Sequence, residues 1–152
     1  MVKKLSELTI GSEGYIKNLN FDSSVKERLI SMGLFPGKKI KLVHVSPFND
    51  PFVYLIEDNK LMLRKSEAEN IEIEISNILL PLINIDKKFC TIEFFCGGQG
   101  FWNKMRKEGL ILNEKIEIIE KTNSSVTIKT PKKIIALRRG WAKKIMCKEM
   151  LG

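Results

Sequence analysis

Thiol and imidazole side chains, which often act as nucleophiles, general bases or metal ligands, are few in this 152-residue chain. The thiols belong to Cys90, Cys96 and Cys147, and His44 is the single histidine. Covalent or acid–base catalysis needs a nucleophile, a base and an orienting group together. Thiolates also bind soft metals, but Cys90 and Cys96 are wider apart than the usual zinc clip of about two to four intervening residues. These residues predict reduced thiols, no catalytic site and no structural metal site, with direct binding of a transition metal kept as an alternative.

The glycine cluster Gly97-Gly98-Gln99-Gly100 precedes a predicted helix. A helix N-terminus with exposed backbone N–H groups attracts anions, so a phosphate site is one interpretation. The cluster lacks the Gly-Lys-Ser/Thr ending of a phosphate loop and the last glycine of a dinucleotide fingerprint. A tight turn from strand to helix is therefore the favoured interpretation.

The sequence contains an internal repeat. Residues 32–43 align with 108–119 at an offset of 76, and residues 63–71 align with 137–145 at an offset of 74. The offset of 74, carried back to the start of each copy, pairs Cys90 with Ile16 and predicts a core position for this thiol. Two tandem domains, residues 1–75 and 76–152, follow from the repeat.

Each copy is predicted to form a strand, a short helix and several further strands. In the first copy Asp22 or Ser23 caps the helix, Val25, Leu29 and Met32 lie on its inner face, and Gly33 ends it. Asp58-Asn59 is the predicted hairpin turn. The apolar alternation slips at Leu42-Val43 and again at Ile118-Ile119, which predicts a β-bulge in both copies.

Composition and charge complete the class assignment. The chain is 43% hydrophobic and 29% charged, as expected of a folded protein. Its longest uncharged run, residues 75–85, is shorter than a membrane span, and no secretory signal is visible, so a cytoplasmic location is expected.

The join at residues 76–81 is not rich in glycine or serine, and we expect a monomer in which two barrels pack together.

At these motifs the sequence resembles the FeoA family of ferrous iron transport proteins. The first copy carries the family's motifs in order over residues 4–74: Arg28-Leu29, Gly33-Leu34-Phe35-Pro36-Gly37, Asp50-Pro51, Leu63-Arg64-Lys65 and Ala68-Glu69-Asn70-Ile71. The second copy keeps Gly109-Leu110 and Leu137-Arg138-Arg139 but has Leu112-Asn113 where the first has Pro36-Gly37, and it lacks the Asp-Pro. This departure leaves its surface loops in question.

The resemblance implies an all-β fold with short helices, built as two SH3-like small β-barrels in tandem. It also implies a non-enzymatic adaptor for the cytoplasmic part of FeoB, the membrane transporter of ferrous iron. The predicted partner-binding residues are Arg28, Gly33, Leu34, Pro36 and Gly37 in the first copy, with Gly97, Gly98, Gly100 and Trp102 in the second.

Positive charge is concentrated in the second half of the chain. Residues 1–76 hold 11 basic and 11 acidic side chains, whereas residues 77–152 hold 15 and 7. A basic patch around Trp141 is predicted from Arg138, Arg139, Lys143 and Lys144, and such a patch attracts acidic partners. Trp141 is alternatively a packing residue. A basic module that binds nucleic acid is the competing, less favoured function, because no RNA-binding consensus is present.

Overall fold

The computed structural model describes residues 1–150 and divides the chain into unit 1, Met1–Ile78, and unit 2, which begins at Leu79. Helices α1 (Ser23–Ser31) and α2 (Lys65–Ala68) belong to unit 1, and helices α3 (Gln99–Lys107) and α4 (Arg139–Ala142) belong to unit 2. Strands β1 to β6 of unit 1 are Val2–Lys4, Glu13–Leu19, Lys39–Val45, Phe52–Ile56, Asn59–Leu63 and Ile71–Asn77. Strands β7 to β12 of unit 2 are Leu80–Pro81, Phe89–Phe95, Lys115–Lys121, Ser125–Lys129, Ile134–Arg138 and Ile145–Glu149.

Each unit is one antiparallel sheet that curls around its own core. The strand order is β1-β6-β2-β3-β4-β5 in unit 1 and β11-β10-β9-β8-β12-β7 in unit 2. The five-strand path β6-β2-β3-β4-β5 therefore reappears as β12-β8-β9-β10-β11. This architecture confirms the predicted all-β class with two SH3-like small barrels.

Alternating side chains build both cores. In β3, Ile40 and Leu42 are buried, and in β9 the equivalent Ile116 is buried as well.

The pairing of β3 with β4 shifts between Leu42 and His44, and that of β9 with β10 shifts between Ile118 and Glu120. The extra residue in each strand is a β-bulge, which bends the sheet toward closure. Both predicted bulges are confirmed.

The strands and helices of unit 1 recur in the same order along unit 2, and their spacing corrects the predicted equivalence of Cys90 and Ile16. Strand β2, helix α1 and strand β3 precede β8, α3 and β9 by a constant 76 positions. The β3–β4 loop is three residues shorter in unit 2 and the next turn is two residues longer, so the offset changes only after β3. Cys90 is consequently the counterpart of Gly14, not of Ile16, because both pair with the same position of the next strand.

Helix α1 follows the sequence prediction at both ends. The Asp22 carboxylate accepts a hydrogen bond from the amide N–H of Val25 at 3.2 Å, and Gly33 follows the helix with a φ of 96°. The prediction for Met32 is wrong: its side chain is 46% exposed, because the helix has already ended and only Leu29 is fully buried.

The predicted hairpin turn is also displaced by one residue. Strands β4 and β5 are closed by Glu57-Asp58, and Asn59 is already paired with Ile56. Glu57 adopts a φ of 55°, a conformation that asparagine tolerates better than glutamate. The preference of asparagine for turns therefore predicted Asp58-Asn59 where the structure has Glu57-Asp58.

Asp22 and Gly98 occupy the same capping position of the two equivalent helices, and only Asp22 supplies a side-chain acceptor. We expect Asp22→Ala to lower the free energy of unfolding by about 1 kcal/mol, since one amide loses its partner. Gly98→Asp should raise it by a few tenths of a kcal/mol, because the added side chain meets open space. Urea unfolding measures both changes, and an unaltered stability of Asp22→Ala would contradict the assigned cap.

Candidate partner-binding site

The turn that follows helix α1 is fixed by two backbone hydrogen bonds. The amide of Leu34 donates to the carbonyl oxygen of Leu29 at 2.9 Å, and the amide of Gly37 donates to that of Ile16 at 2.8 Å. Gly37 has a φ of 95°, in the left-handed region that strains residues with a Cβ. The Gly-Leu-x-Pro-Gly motif therefore ties helix α1 to strand β2 and sets the start of β3.

An open cleft with a volume of about 190 Å³ lies between this turn and the β4–β5 hairpin. Its apolar lining includes Met32, Phe35, Ile56 and Leu61. Phe35 is 37% exposed, and the Lys38 ammonium lies 4.9 Å from the centre of its ring. The cleft can receive an apolar side chain beside a charged rim, which is an arrangement for binding rather than for bond chemistry.

A salt bridge between Lys38 and Glu57 crosses the rim of the cleft. Lys38 comes from the turn before β3, and Glu57 comes from the β4–β5 hairpin. The pair therefore joins the two walls that line the apolar surface.

The predicted contact residues of unit 1 differ in how far they are exposed to solvent. Leu34 is fully buried in the core, so its side chain offers a partner no surface. Pro36 and Gly37 are exposed in the turn, and Gly33 is half-buried. The sequence prediction omitted Phe35 from the contact residues and placed Met32 on the inner face of helix α1, whereas both side chains are exposed.

Arg28 reaches from helix α1 to helix α2, where its guanidinium forms a 3.0 Å salt bridge with Glu67. Helix α2 is itself held by Asp50, whose carboxylate accepts a 2.9 Å hydrogen bond from the amide of Lys65. Asp50 of the Asp-Pro motif therefore stabilises helix α2, which carries the Glu67 partner of Arg28.

Unit 2 reproduces the turn without the Pro-Gly pair. Gly109 has a φ of 94°, and Asn113 takes the place of Gly37 with a φ of 67°. The amide of Asn113 donates to the carbonyl oxygen of Ile92, the counterpart of the bond from Gly37 to Ile16. Asparagine tolerates the left-handed conformation better than most residues, so the departure in sequence leaves the backbone unchanged.

The glycine cluster of unit 2 forms the predicted strand-to-helix turn, with Gly98 as the residue before helix α3. A Cβ on Gly97 would lie 2.9 Å from the Cβ of Phe101, so the close approach of the chain requires glycine there. A Cβ on Gly98 or Gly100 would meet open space. These two glycines leave an accessible backbone at the start of α3.

Trp102 lies on helix α3 and packs edge-on against Phe95, with ring centres 5.0 Å apart. It lines a cavity of about 320 Å³ together with Arg106, Leu110 and Ile111. Trp102 is half-buried, and Ile111 is exposed. The second unit therefore has its own apolar surface beside the turn.

Of the four residues predicted to form a basic patch around Trp141, only Arg138 is seen over this ring, and Trp141 itself occupies the position of Glu67. The Lys104 ammonium lies 4.6 Å and the Arg138 guanidinium 5.5 Å from the centre of the Trp141 ring. Lys104 is the counterpart of Arg28, so a cation–aromatic contact replaces the ion pair of unit 1. Arg139 instead donates a 3.2 Å hydrogen bond to the carbonyl oxygen of Thr122.

The cysteines do not form a common site. Cys90 and Cys147 are fully buried in unit 2, and a hydrogen bond between their side chains, together with burial, raises the pKa of Cys147. Burial raises the pKa of the half-buried Cys96 to about 11. His44 is an exposed residue of β3 beside the bulge.

Two findings concern residues 1–150 as a whole. No group of three or more histidine, cysteine, aspartate or glutamate side chains in this range could hold a metal ion. None of the helices described in the same range is both long enough and apolar enough to span a membrane.

Residues 3–75 match the family model of the FeoA domain. A curated relative, the putative Fe(2+) transport protein A of Campylobacter jejuni, is 34% identical over 71 residues, which are 96% of that protein and 47% of this chain. The chain belongs to the FeoA family. The match covers unit 1, where the turn, the cleft and the Arg28–Glu67 pair are located.

Other FeoA relatives differ in length. The Fe(2+) transport protein A/Fe(2+) transporter FeoB fusion protein of Porphyromonas gingivalis is 35% identical over 72 residues, 47% of this chain and only 8% of the fusion. The solution structure of iron(II) transport protein A from Clostridium thermocellum is 33% identical, with 97% of this chain and 88% of that one covered and a TM-score of 0.48.

The FeoA turn provides a matched test of backbone conformation. We expect Gly37→Ala to lower the free energy of unfolding by about 1–2 kcal/mol, because alanine is strained at this φ. Gly37→Asn should cost clearly less, because Asn113 already holds the equivalent position in unit 2. Urea unfolding of both variants measures the difference, and equal losses would contradict the explanation.

Cys96 provides a pH-dependent test. Its raised pKa keeps the thiol protonated at neutral pH, so we expect slow alkylation near pH 7 that accelerates as pH rises toward about 11. Cys90 and Cys147 should react only after unfolding, because both are buried. Mass spectrometry of maleimide-treated protein measures this order. Rapid alkylation of native protein at pH 7 would contradict it.

Proposed function

We propose that this protein is an accessory component of ferrous iron transport that binds the cytoplasmic part of a FeoB-type transporter. The observation that carries the proposal is the relative from Porphyromonas gingivalis, a fusion of Fe(2+) transport protein A with FeoB that is similar to 72 residues of this chain. A covalent fusion keeps two proteins at high effective concentration. A separate FeoA protein needs a binding surface to reach the same partner.

The surface of unit 1 that we assign to this contact is the cleft beside the FeoA turn. It combines a partly exposed aromatic ring, Phe35, with Met32 and a charged rim at Lys38 and Glu57. Interfaces take most of their binding energy from a few aromatic or apolar anchors surrounded by polar residues. The fixed backbone of the turn presents these anchors with little ordering on binding.

We propose further that unit 2 is a second FeoA-type domain with a diverged surface. It repeats the strand order and the left-handed turn of unit 1, but it places Trp102 and Ile111 beside that turn. Gly98 and Gly100 leave room for a partner to approach the first turn of α3. Trp102 would be the anchor of this second contact.

Capture of this protein by the soluble cytoplasmic domain of the transporter tests the proposal, with and without Fe(II) and nucleotide. We expect Phe35→Ser to weaken binding about tenfold or more, since an aromatic anchor is removed. Phe48→Ser is the matched control, because Phe48 is 92% exposed in the β3–β4 loop of the same unit and lies outside the cleft.

The second contact is tested by Trp102→Ala, with unfolding measured in parallel because Trp102 also packs on Phe95. Leu34→Asp is unsuitable, since it would place a charge in the core. If folded Phe35→Ser and Trp102→Ala variants both bind as tightly as the unaltered chain, the assigned surfaces are wrong. If the unaltered chain does not bind, the proposed partner is wrong.

A further inference from the structure

Six exposed basic side chains of unit 2 lie on helix α3 and on the residues that flank helix α4, and we call this set the cationic band. Its members are Lys104, Arg106, Lys107, Arg138, Lys143 and Lys144. Trp141 lies under Lys104 and Arg138, and the ring of Phe101 lies 5.4 Å from the Lys144 ammonium. Two aromatic rings thus hold three of the six charges close together.

The charges of the band are not neutralised by neighbouring carboxylates. Within residues 79–150, the described salt bridge joins Lys88 to Glu117, and none of the six band residues has a carboxylate oxygen within 4.0 Å. Like charges held at short range repel each other, and their summed field extends into solvent. An anion that approaches this face removes that repulsion.

The fold does not require these charges, as the equivalent positions of unit 1 show. The six counterparts are Arg28, Ile30, Ser31, Arg64, Glu69 and Asn70. Two are basic, one is acidic and three are uncharged, and Glu67 neutralises Arg28. The same backbone therefore carries an almost neutral surface in one unit and a strongly positive one in the other.

The form of the band decides which anion fits. The six side chains are exposed on helix α3 and beside helix α4 rather than around a cavity, and the apolar cavity beside α3 includes only Arg106 of the six. The Trp141 ring is already covered by two cations, which leaves it poorly placed to stack on a nucleic-acid base. An extended anionic surface matches this geometry better than a small ligand or a single strand.

We propose that the cationic band docks unit 2 onto an anionic phospholipid membrane surface. Each basic side chain near such a surface strengthens binding by about fivefold, so six together give a useful but reversible attachment. The inference complements the proposed function, because it would hold the protein at the membrane that contains its partner, yet it needs no transporter.

Sedimentation with lipid vesicles tests the inference on the full chain. We expect binding to vesicles of phosphatidylcholine mixed with phosphatidylglycerol and none to pure phosphatidylcholine. The triple substitution Lys107→Ser, Lys143→Glu and Lys144→Asn installs the unit 1 residues and should weaken binding roughly 100-fold or more. Raising salt from about 0.1 M to about 1 M should release the unaltered protein, because the screening length falls from about 10 Å to about 3 Å.

The matched control carries the same three changes at exposed lysines outside the band: Lys87→Ser, Lys129→Glu and Lys148→Asn. It has the same net charge as the band variant and should retain most of the binding. Equal losses in the two variants, or no binding of the unaltered chain at low salt, would overturn the proposal. Tighter band-dependent binding to RNA than to vesicles at equal salt would also overturn it, in favour of nucleic acid.

The vesicle assay and the transporter capture assay have independent outcomes. The vesicles contain no transporter, and the capture assay contains no lipid. We expect the triple band variant to be captured by the transporter's soluble domain while it fails to bind vesicles. Loss of both activities in a folded band variant would contradict a separate membrane surface.

Discussion

Two amide hydrogen bonds organise the surfaces of this protein. The amide of Gly37 reaches the carbonyl oxygen of Ile16, and the amide of Asn113 reaches that of Ile92, because both donors adopt a left-handed backbone. Each bond returns the chain from the end of a helix to the strand before it. The helix, the exposed residue after the Gly-Leu pair and the first residue of the next strand are consequently fixed in the same arrangement in both units.

Side chains outside these cores were free to diverge because they contribute little to stability. An exposed ion pair such as Arg28–Glu67 is worth at most about 1 kcal/mol, and an exposed cation–aromatic contact such as Lys104–Trp141 is worth a similar amount. Exchanging one for the other leaves the fold intact and changes the local charge from neutral to positive. Two units with the same strand order thus differ in surface charge, which is almost neutral in unit 1 and positive in unit 2.

Much of the fold could be predicted from sequence because the signals were local or repeated. The cap at Asp22, the helix end at Gly33 and both bulges follow from residue preference and from broken alternation. The pairing of Cys90 with Ile16 failed because loops of different length follow β3, and one offset was applied across them. The predicted turn at Asp58-Asn59 is displaced to Glu57-Asp58, because pairing across the strands overrode the preference of Asn59 for turns.

The candidate site was harder to predict, because exposure depends on the tertiary packing. Leu34 is part of a recognisable motif, yet the chain turns it into the core and leaves Phe35 at the surface. The contact between Lys104 and Trp141 joins two helices that are far apart in sequence, and no local pattern indicates it. Sequence identified the segments, and packing determined which side chains within them can meet a partner.

The central claim is that a FeoA turn presents this protein's contact surface to a transporter. Amide chemical shifts of the isotopically labelled full chain, followed as the transporter's soluble domain is added, test it residue by residue. The account predicts that the largest changes fall in residues 32–38 and 57–61, around the unit 1 cleft, with a second group near Trp102. Changes confined to the opposite loops of the barrels, or no changes at saturating partner, would contradict it.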